Sequence, residues 1–180
     1  MTPTAGPHQV RSGGLRVVRL GPDDWRDYRE LRLGMLRDAP DAFWTQLADV
    51  EHLGEADWRA RSHDRTLHVR DADGTPLGTT TVLTRETNQA LGLQAGDGDA
   101  LVLAVYVVPA ARGRGVVDLL LEGARELARK LGCARLVLQV GEANLAARRV
   151  YERHGYRPTG GWLPHPRLQG RRDLEMARPV

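Results

Sequence analysis

The sequence predicts a mixed α/β fold in one domain, and three observations carry that expectation. Its 180 residues suffice to bury a sizeable core without metal or disulfide support. Between Leu101 and Val140 the apolar pattern reads strand, helix, strand, an order that implies a parallel crossover. Two further strand-like runs flank the turn signal Asp73-Gly74 and read as a hairpin.

The expected organisation is a leader over residues 1–14 and a single unit over 15–180, without an internal repeat. Pro3, Gly6, Pro7, Gly13 and Gly14 leave the leader little apolar content, so mobility is expected there. Leu15 to Leu20 is a strand candidate, followed by Gly21-Pro22 and then Asp23 or Asp24 as the cap of a helix through about Leu36. Pro40 stops that helix by disfavouring the helical conformation in the residue before it. A shorter helix is expected over 54–62, then strands over 66–70 and 77–83.

From Thr84 to Asp99 the chain is polar and glycine-rich, which reads as a surface loop and a candidate substrate rim. Leu101 to Val108 is a continuous apolar run, Arg114 to Leu131 has helical periodicity, and Arg135 to Val140 is strand-like. A last helix is expected from about Asn144 to His154, ending at Gly155. Two weaker strands, around Arg157 and over 174–177, complete the chain.

Composition excludes several function classes. The formal charge is +3, with 26 basic and 23 acidic residues and no long basic block, so nucleic acid is not an expected partner. Lys130 is the sole lysine; a chain so rich in arginine suits a small polyanionic ligand. Cys133 is the sole cysteine, which rules out an internal disulfide and a multi-cysteine metal site and fits a reducing cytoplasm. It reads as a small core residue. No run of about 18 apolar residues and no secretory signal pattern occurs, so a membrane partner is not expected either. A homodimer is left open.

The segment Val105-Tyr106-Val107-Val108-Pro109-Ala110-Ala111-Arg112-Gly113-Arg114-Gly115-Val116-Val117 carries the chemistry. A buried strand meets a proline, turns through two glycines and enters a helix whose first N–H groups have no partner inside the helix. Glycine allows close approach of backbone to a ligand and a helix N-terminus favours anions, so the turn is a candidate phosphate cradle, with Arg112 and Arg114 adding charge at its rim. The alternative is a tight turn that needs glycine for geometry alone. The third glycine of a dinucleotide-binding turn and the Gly-Lys-Ser/Thr of a nucleotide-binding loop are both missing.

This segment resembles the signature of the GNAT superfamily of N-acetyltransferases, Arg/Gln-x-x-Gly-x-Gly/Ala, starting here at Arg112 with Gly115 as its first required glycine and departing from it at Val117. A second element, Asn144, Ala146-Ala147, Val150-Tyr151 and His154-Gly155-Tyr156, resembles the same family's later pattern at its usual spacing. Asn144 and Tyr151 stand seven residues apart, about 700° of helix and so nearly one face.

The resemblance implies a largely antiparallel sheet splayed at one parallel pair, with helices on both faces and acetyl-CoA entering the split as co-substrate. It implies that the amides of Gly113, Arg114, Gly115, Val116 and Val117 bind the pyrophosphate. Val105, Tyr106 and Val107 would pair with the pantetheine arm, Asn144 would hydrogen-bond it, and Tyr151 would protonate the leaving thiolate. No metal is implied, and the acceptor is an amine of unspecified identity.

Taken alone, Asn144 reads as a helix cap and Tyr151 as a packing residue. No base stands out, because Gln139 occupies the position where one branch of the family has a glutamate and cannot accept a proton. Glu142, Glu86, His165 and an ordered water remain candidates. Asp41-Ala42-Phe43-Trp44 and the later Trp162, His165 and Arg167 are weaker candidates for the walls of an acceptor opening. A non-catalytic acyl-CoA-binding module is the alternative reading.

Overall fold

The computed structural model describes residues 11, 12, 14–84 and 96–180. Its strands are β1 (Arg11–Ser12), β2 (Leu15–Arg19), β3 (Thr66–Arg70), β4 (Pro76–Thr84), β5 (Asp99–Val107), β6 (Arg135–Gly141), β7 (Arg157–Pro164) and β8 (Arg172–Pro179). Its helices are α1 (Trp25–Asp38), α2 (Leu47–Val50), α3 (Glu55–Arg61), α4 (Val116–Lys130) and α5 (Leu145–Arg153). The strands form one sheet in the order β1-β2-β3-β4-β5-β6-β8-β7. Only β5 and β6 run parallel within it.

Most expected elements lie within a residue or two of their sequence-based bounds. Residues 1–10 and 13 of the expected leader, and residues 85–95 of the expected rim loop, lie outside the described residues. Arg11–Ser12 pairs with Leu15–Arg16, so strand pairing begins before Leu15. The expected cap of α1 differs in detail. A 3-10 turn over Pro22–Asp24 precedes the helix, and Asp24 occupies the cap position without capping it. Its carboxylate instead accepts from the Gly21 N–H at 2.8 Å and from Arg70 Nη2 at 3.0 Å, because Arg70 lies across the sheet edge where sequence spacing does not reveal it.

Helix α1 ends at Asp38 as the proline dictates, and Ala39 N–H donates to the Met35 carbonyl. The one-turn α2 was not expected, since four residues are too short for periodicity to register. The tail departs most from expectation. Both of its strands are eight residues long, and β8 inserts between β6 and β7, pairing with β6 from Arg135↔Pro179 to Gly141↔Asp173.

Each face of the sheet carries a core. On one face Leu67, Val69, Leu136, Leu138 and Met176 of the sheet pack with Leu120 of α4, while on the other Leu33, Met35 and Leu36 of α1, Val50 of α2 and Trp58 of α3 cluster with Tyr106 of β5. Each large side chain buried this way contributes about 2 kcal/mol. Cys133 is half-buried against the first core.

Two irregularities prepare the site. The parallel pair holds only three rungs, Asp99↔Arg135, Ala100↔Leu136 and Leu101↔Val137, and the strands then part. Beyond Leu101, β5 keeps β4 on one side and leaves its other edge unpaired. In that free arm the rung Thr81↔Leu103 is followed by Thr79↔Tyr106, so Thr80 faces two residues, Ala104 and Val105. The bulge sets Ala104 at φ 54°, and the Thr80 hydroxyl donates to the Leu103 carbonyl at 3.0 Å. Ala100 and Val102 face the α4 core before the bulge and Val105 and Val107 face it afterwards, so Tyr106 turns to the α1 face.

Candidate functional site in the split sheet

The free arm of β5 runs into a 3-10 turn over Pro109–Ala111 and then into the glycine turn. Gly113 has φ 77° and Gly115, the residue before α4, has φ 78°, a left-handed conformation that an L side chain resists. A Cβ on Gly113 would meet nothing within 4 Å, so the space over the turn is open. The N–H groups of Gly113, Gly115, Val116, Val117 and Asp118 have no hydrogen-bond acceptor among the described residues. Five free amides at the start of a 15-residue helix are donors of the kind that suit an anion of several oxygens.

The valine at the signature's final position points partly into the core: Val117 packs against the α4 cluster. Its side chain is spent on packing while its N–H stays free. Arg112 does not stand at the rim as charge spacing suggests. Its Nε donates to the Val107 carbonyl at 3.3 Å, and its guanidinium pairs with Asp38 at the end of α1. Burial and then Asp38 hold the Tyr106 phenol above its usual pKa. Arg112 thus ties the turn to α1, and both it and Arg114 are exposed.

On the other arm, Asn144 caps α5, its Oδ1 accepting from Ala147 N–H at 3.1 Å. It is exposed, whereas Tyr151 is buried within the α4-side core, its ring edge-on to Tyr156 at 5.8 Å. The shared helical face expected for these two residues therefore runs from solvent at Asn144 to the interior at Tyr151. Burial pushes the Tyr151 phenol up to about 12. Asp118 links the helices on either side of the split, accepting from Arg153 Nη2 at 2.8 Å with His154 Nε2 at 2.7 Å.

The base candidates fare unequally. Glu142 is exposed and pairs with Arg172 at 3.3 Å, the ordinary fate of a surface charge. Gln139 is half-buried opposite Glu175. Glu86 lies outside the described residues. The buried His165 accepts from Arg167 N–H at 3.3 Å and Leu168 N–H at 3.1 Å through Nδ1, which places the neutral ring's proton on Nε2, an atom without a partner.

Two weak sequence candidates turn out to be joined. Arg167 donates to the carbonyls of Phe43 at 2.7 Å, Trp44 at 2.9 Å and Pro40 at 3.4 Å, docking the β7–β8 connection on the α1–α2 loop. Across the same seam Trp44 Nε1 donates to Asp173 Oδ2 at 2.7 Å. Trp162 does not join them. It pairs with Leu174, is half exposed and carries Arg172 over its ring at 5.3 Å. Asp173 escaped the sequence reading, because one aspartate in a polar terminal strand gives no signal. Separately, a cleft of about 240 Å³ lies between α1 and the end of β5, lined by residues that include Leu31, Gly34 and Tyr106.

Among the described residues no group of three His, Cys, Asp or Glu side chains could hold a metal ion, and no helix is long and apolar enough to cross a membrane.

The family model for the acetyltransferase (GNAT) family matches residues 25–156. No curated protein matches the sequence. Among solved structures, a GCN5-related N-acetyltransferase from Kribbella flavida is 24% identical with a TM-score of 0.71, the alignment covering 93% of this chain and 98% of that one. YncA, a putative acetyltransferase from Salmonella typhimurium with its cofactor acetyl-CoA, is 18% identical with a TM-score of 0.71, covering 93% and 94%. The ribosomal-protein-S18-alanine N-acetyltransferase of Escherichia coli is 17% identical with a TM-score of 0.63, covering 92% and 94%. At these identities the likeness is one of fold.

Proposed function

The chain belongs to the GNAT acetyltransferase family, and from that premise we propose that it transfers the acetyl group of acetyl-CoA directly to a primary amine. The observation that carries this reading is the set of free amides at Gly113, Gly115, Val116, Val117 and Asp118 beside the unpaired edge of β5, the Arg114 N–H being taken by the Ala111 carbonyl at 3.4 Å. A pyrophosphate matches the amides, and the open strand edge offers backbone donors and acceptors to an amide-bearing arm. Acetyl-CoA supplies an activated thioester carbonyl; everything else is the work of the chain.

In this reading the backbone of Val105, Tyr106 and Val107, re-aimed by the bulge at Ala104, holds the pantetheine arm and polarises the carbonyl. Asn144 keeps its Nδ2 for the same arm, since only Oδ1 is used by the cap. The amine nitrogen attacks the carbonyl carbon, the new C–N bond forms as the C–S bond breaks, and Tyr151 passes its proton to sulfur. The surplus proton on nitrogen leaves to a base or to water. Cys133, the lone cysteine, accords with a reducing cytoplasm as the setting.

The test is thiol release from acetyl-CoA across a panel of small amines and peptide N-termini. Turnover on any of them supports the transferase. Tight acetyl-CoA binding without turnover on all of them points to a binding module instead.

A further inference from the structure

Asp173 is a largely buried acid with no ion-pair partner among the described residues, on the face of the sheet that α1 covers. Leu174 and Met176 of β8 lie on alternate positions with Met176 in the α4 core, so Asp173 points to the opposite face, where Trp44 meets it. It is 6% exposed. Its one hydrogen bond comes from Trp44 Nε1 to Oδ2, and Oδ1 has no donor among the described residues. No arginine, lysine or histidine pairs with it among those residues, and its neighbour Arg172 is drawn to Glu142.

A carboxylate offers about four acceptor sites, and the Trp44 indole fills one of them at Oδ2, so Oδ1 keeps capacity for a further donor. A cationic donor from outside the chain suits it.

The strand register says where that donor would sit. From the last parallel rung, Leu101↔Val137, four residues along β5 lead to Val105 and four along β6 lead to Gly141. Val105 belongs to the bulge, and Gly141 is the direct partner of Asp173 in the β6–β8 ladder. The Asp173 carboxylate comes within 3.8 Å of the point that a Cβ on Gly141 would occupy. Asp173 is therefore level with the bulge across the open split, on the face opposite Tyr151 and α5.

Building on the transferase reading above, we propose that Asp173 receives the acceptor's amino group, holding its N–H donors on the α1 side of the split while the thioester is held from the α4 side. Trp44 is the positioning residue, fixing Oδ2 so that Oδ1 faces the opening. Arg167 acts one step further out by holding the loop that carries Trp44. The preferred acceptor is then a protonated primary amine, and a neutral analogue of the same shape is rejected. The amine binds as the ammonium and gives up one proton to water before its lone pair attacks, the second leaving nitrogen once the C–N bond has formed.

The experiment measures binding of n-butylamine and n-butanol by calorimetry to the full chain saturated with free coenzyme A, for wild type and Asp173→Asn. Wild type is expected to bind the amine and not the alcohol. The Asn variant keeps an acceptor for Trp44 and is expected to weaken amine binding by about 10- to 100-fold, the worth of a charged hydrogen bond, with coenzyme A affinity unchanged. Equal binding of amine and alcohol by wild type overturns the proposal without recourse to any variant, as does unchanged amine affinity in a folded Asn variant. Thiol release from acetyl-CoA is read in parallel. Selective amine binding lost in the variant, but with no thiol release on any amine, leaves Asp173 in place and removes the transferase reading. Thiol release with variant-independent amine binding does the reverse.

Discussion

Asp99 and Arg135 face one another on the first rung of the parallel pair, joined by two hydrogen bonds, Arg135 Nε to Oδ1 at 2.9 Å and Nη2 to Oδ2 at 2.8 Å. The pair closes the narrow end of the split, three rungs before the strands part. Asp99 is buried and Arg135 half exposed, so solvent screens part of the attraction.

Asp99→Asn is expected to lose about 1 kcal/mol of stability at neutral pH, a charge-assisted pair discounted for exposure. The Arg135 guanidinium holds the Asp99 carboxyl below its usual pKa. Its stabilisation is complete above the ordinary carboxylate pKa of about 4 and fades as pH falls towards the depressed value. Thermal melts of the two proteins should therefore differ at pH 7 and converge as the medium is acidified below about pH 4.

His68 makes the opposite kind of demand on pH. It is fully buried, stacked on Tyr28 at 6.5 Å, and neither ring nitrogen has a partner. Burial, then Arg70, lowers its pKa to about 3. Below about pH 6.5 the unfolded chain takes up a proton that the folded ring refuses, so stability drops as pH falls. At pH 5 the loss is about 2 kcal/mol. In His68→Phe the melting temperature should fall less between pH 7 and pH 5 than in wild type; parallel slopes would clear His68 of the effect.

Gly115→Ala tests the anion cradle. The added Cβ has room, its nearest neighbour being Asp118 Oδ2 at 3.7 Å, but φ 78° costs an alanine about 1–2 kcal/mol. Relaxation of that strain should tilt the free amides and weaken acetyl-CoA binding about tenfold, the worth of one charge-assisted hydrogen bond. Calorimetry on the folded variant checks this, and unchanged affinity would take the turn out of the site.

Tyr151→Phe keeps the buried ring and its edge-on contact with Tyr156. Acetyl-CoA affinity should hold while the single-turnover rate falls about 10²-fold. With the phenol pushed up to about 12, the hydroxyl stays protonated throughout the working range, so the wild-type rate should show no alkaline loss from this group up to about pH 10. An unchanged rate in the Phe variant would return Tyr151 to packing.

Gln139→Ala should leave the pH dependence of turnover intact, because an amide does not titrate near neutrality. Disappearance of the basic-limb pKa in this variant would show that the proton path runs through Gln139 after all.

Apart from the one-turn α2, periodicity and turn chemistry determined the order of the elements from Leu15 to Gly155, since a core-facing strand or helix writes its period into neighbouring residues. The glycine turn was legible for the same local reason: a turn with free backbone donors depends on where glycines and a helix start fall along the chain. Residues that act from a distance left no such trace. That Arg112 turns to Asp38, that β8 slips between β6 and β7, and that Trp44 reaches Asp173 are decided by which surfaces meet when the sheet closes. The bulge at Ala104 is likewise invisible in an unbroken apolar run, because it arises from the register with β4 and not from the residue itself. The turn at Gly113 and Gly115 was thus set by short-range backbone geometry, whereas the opposite wall of the split exists only once strands remote in sequence are paired.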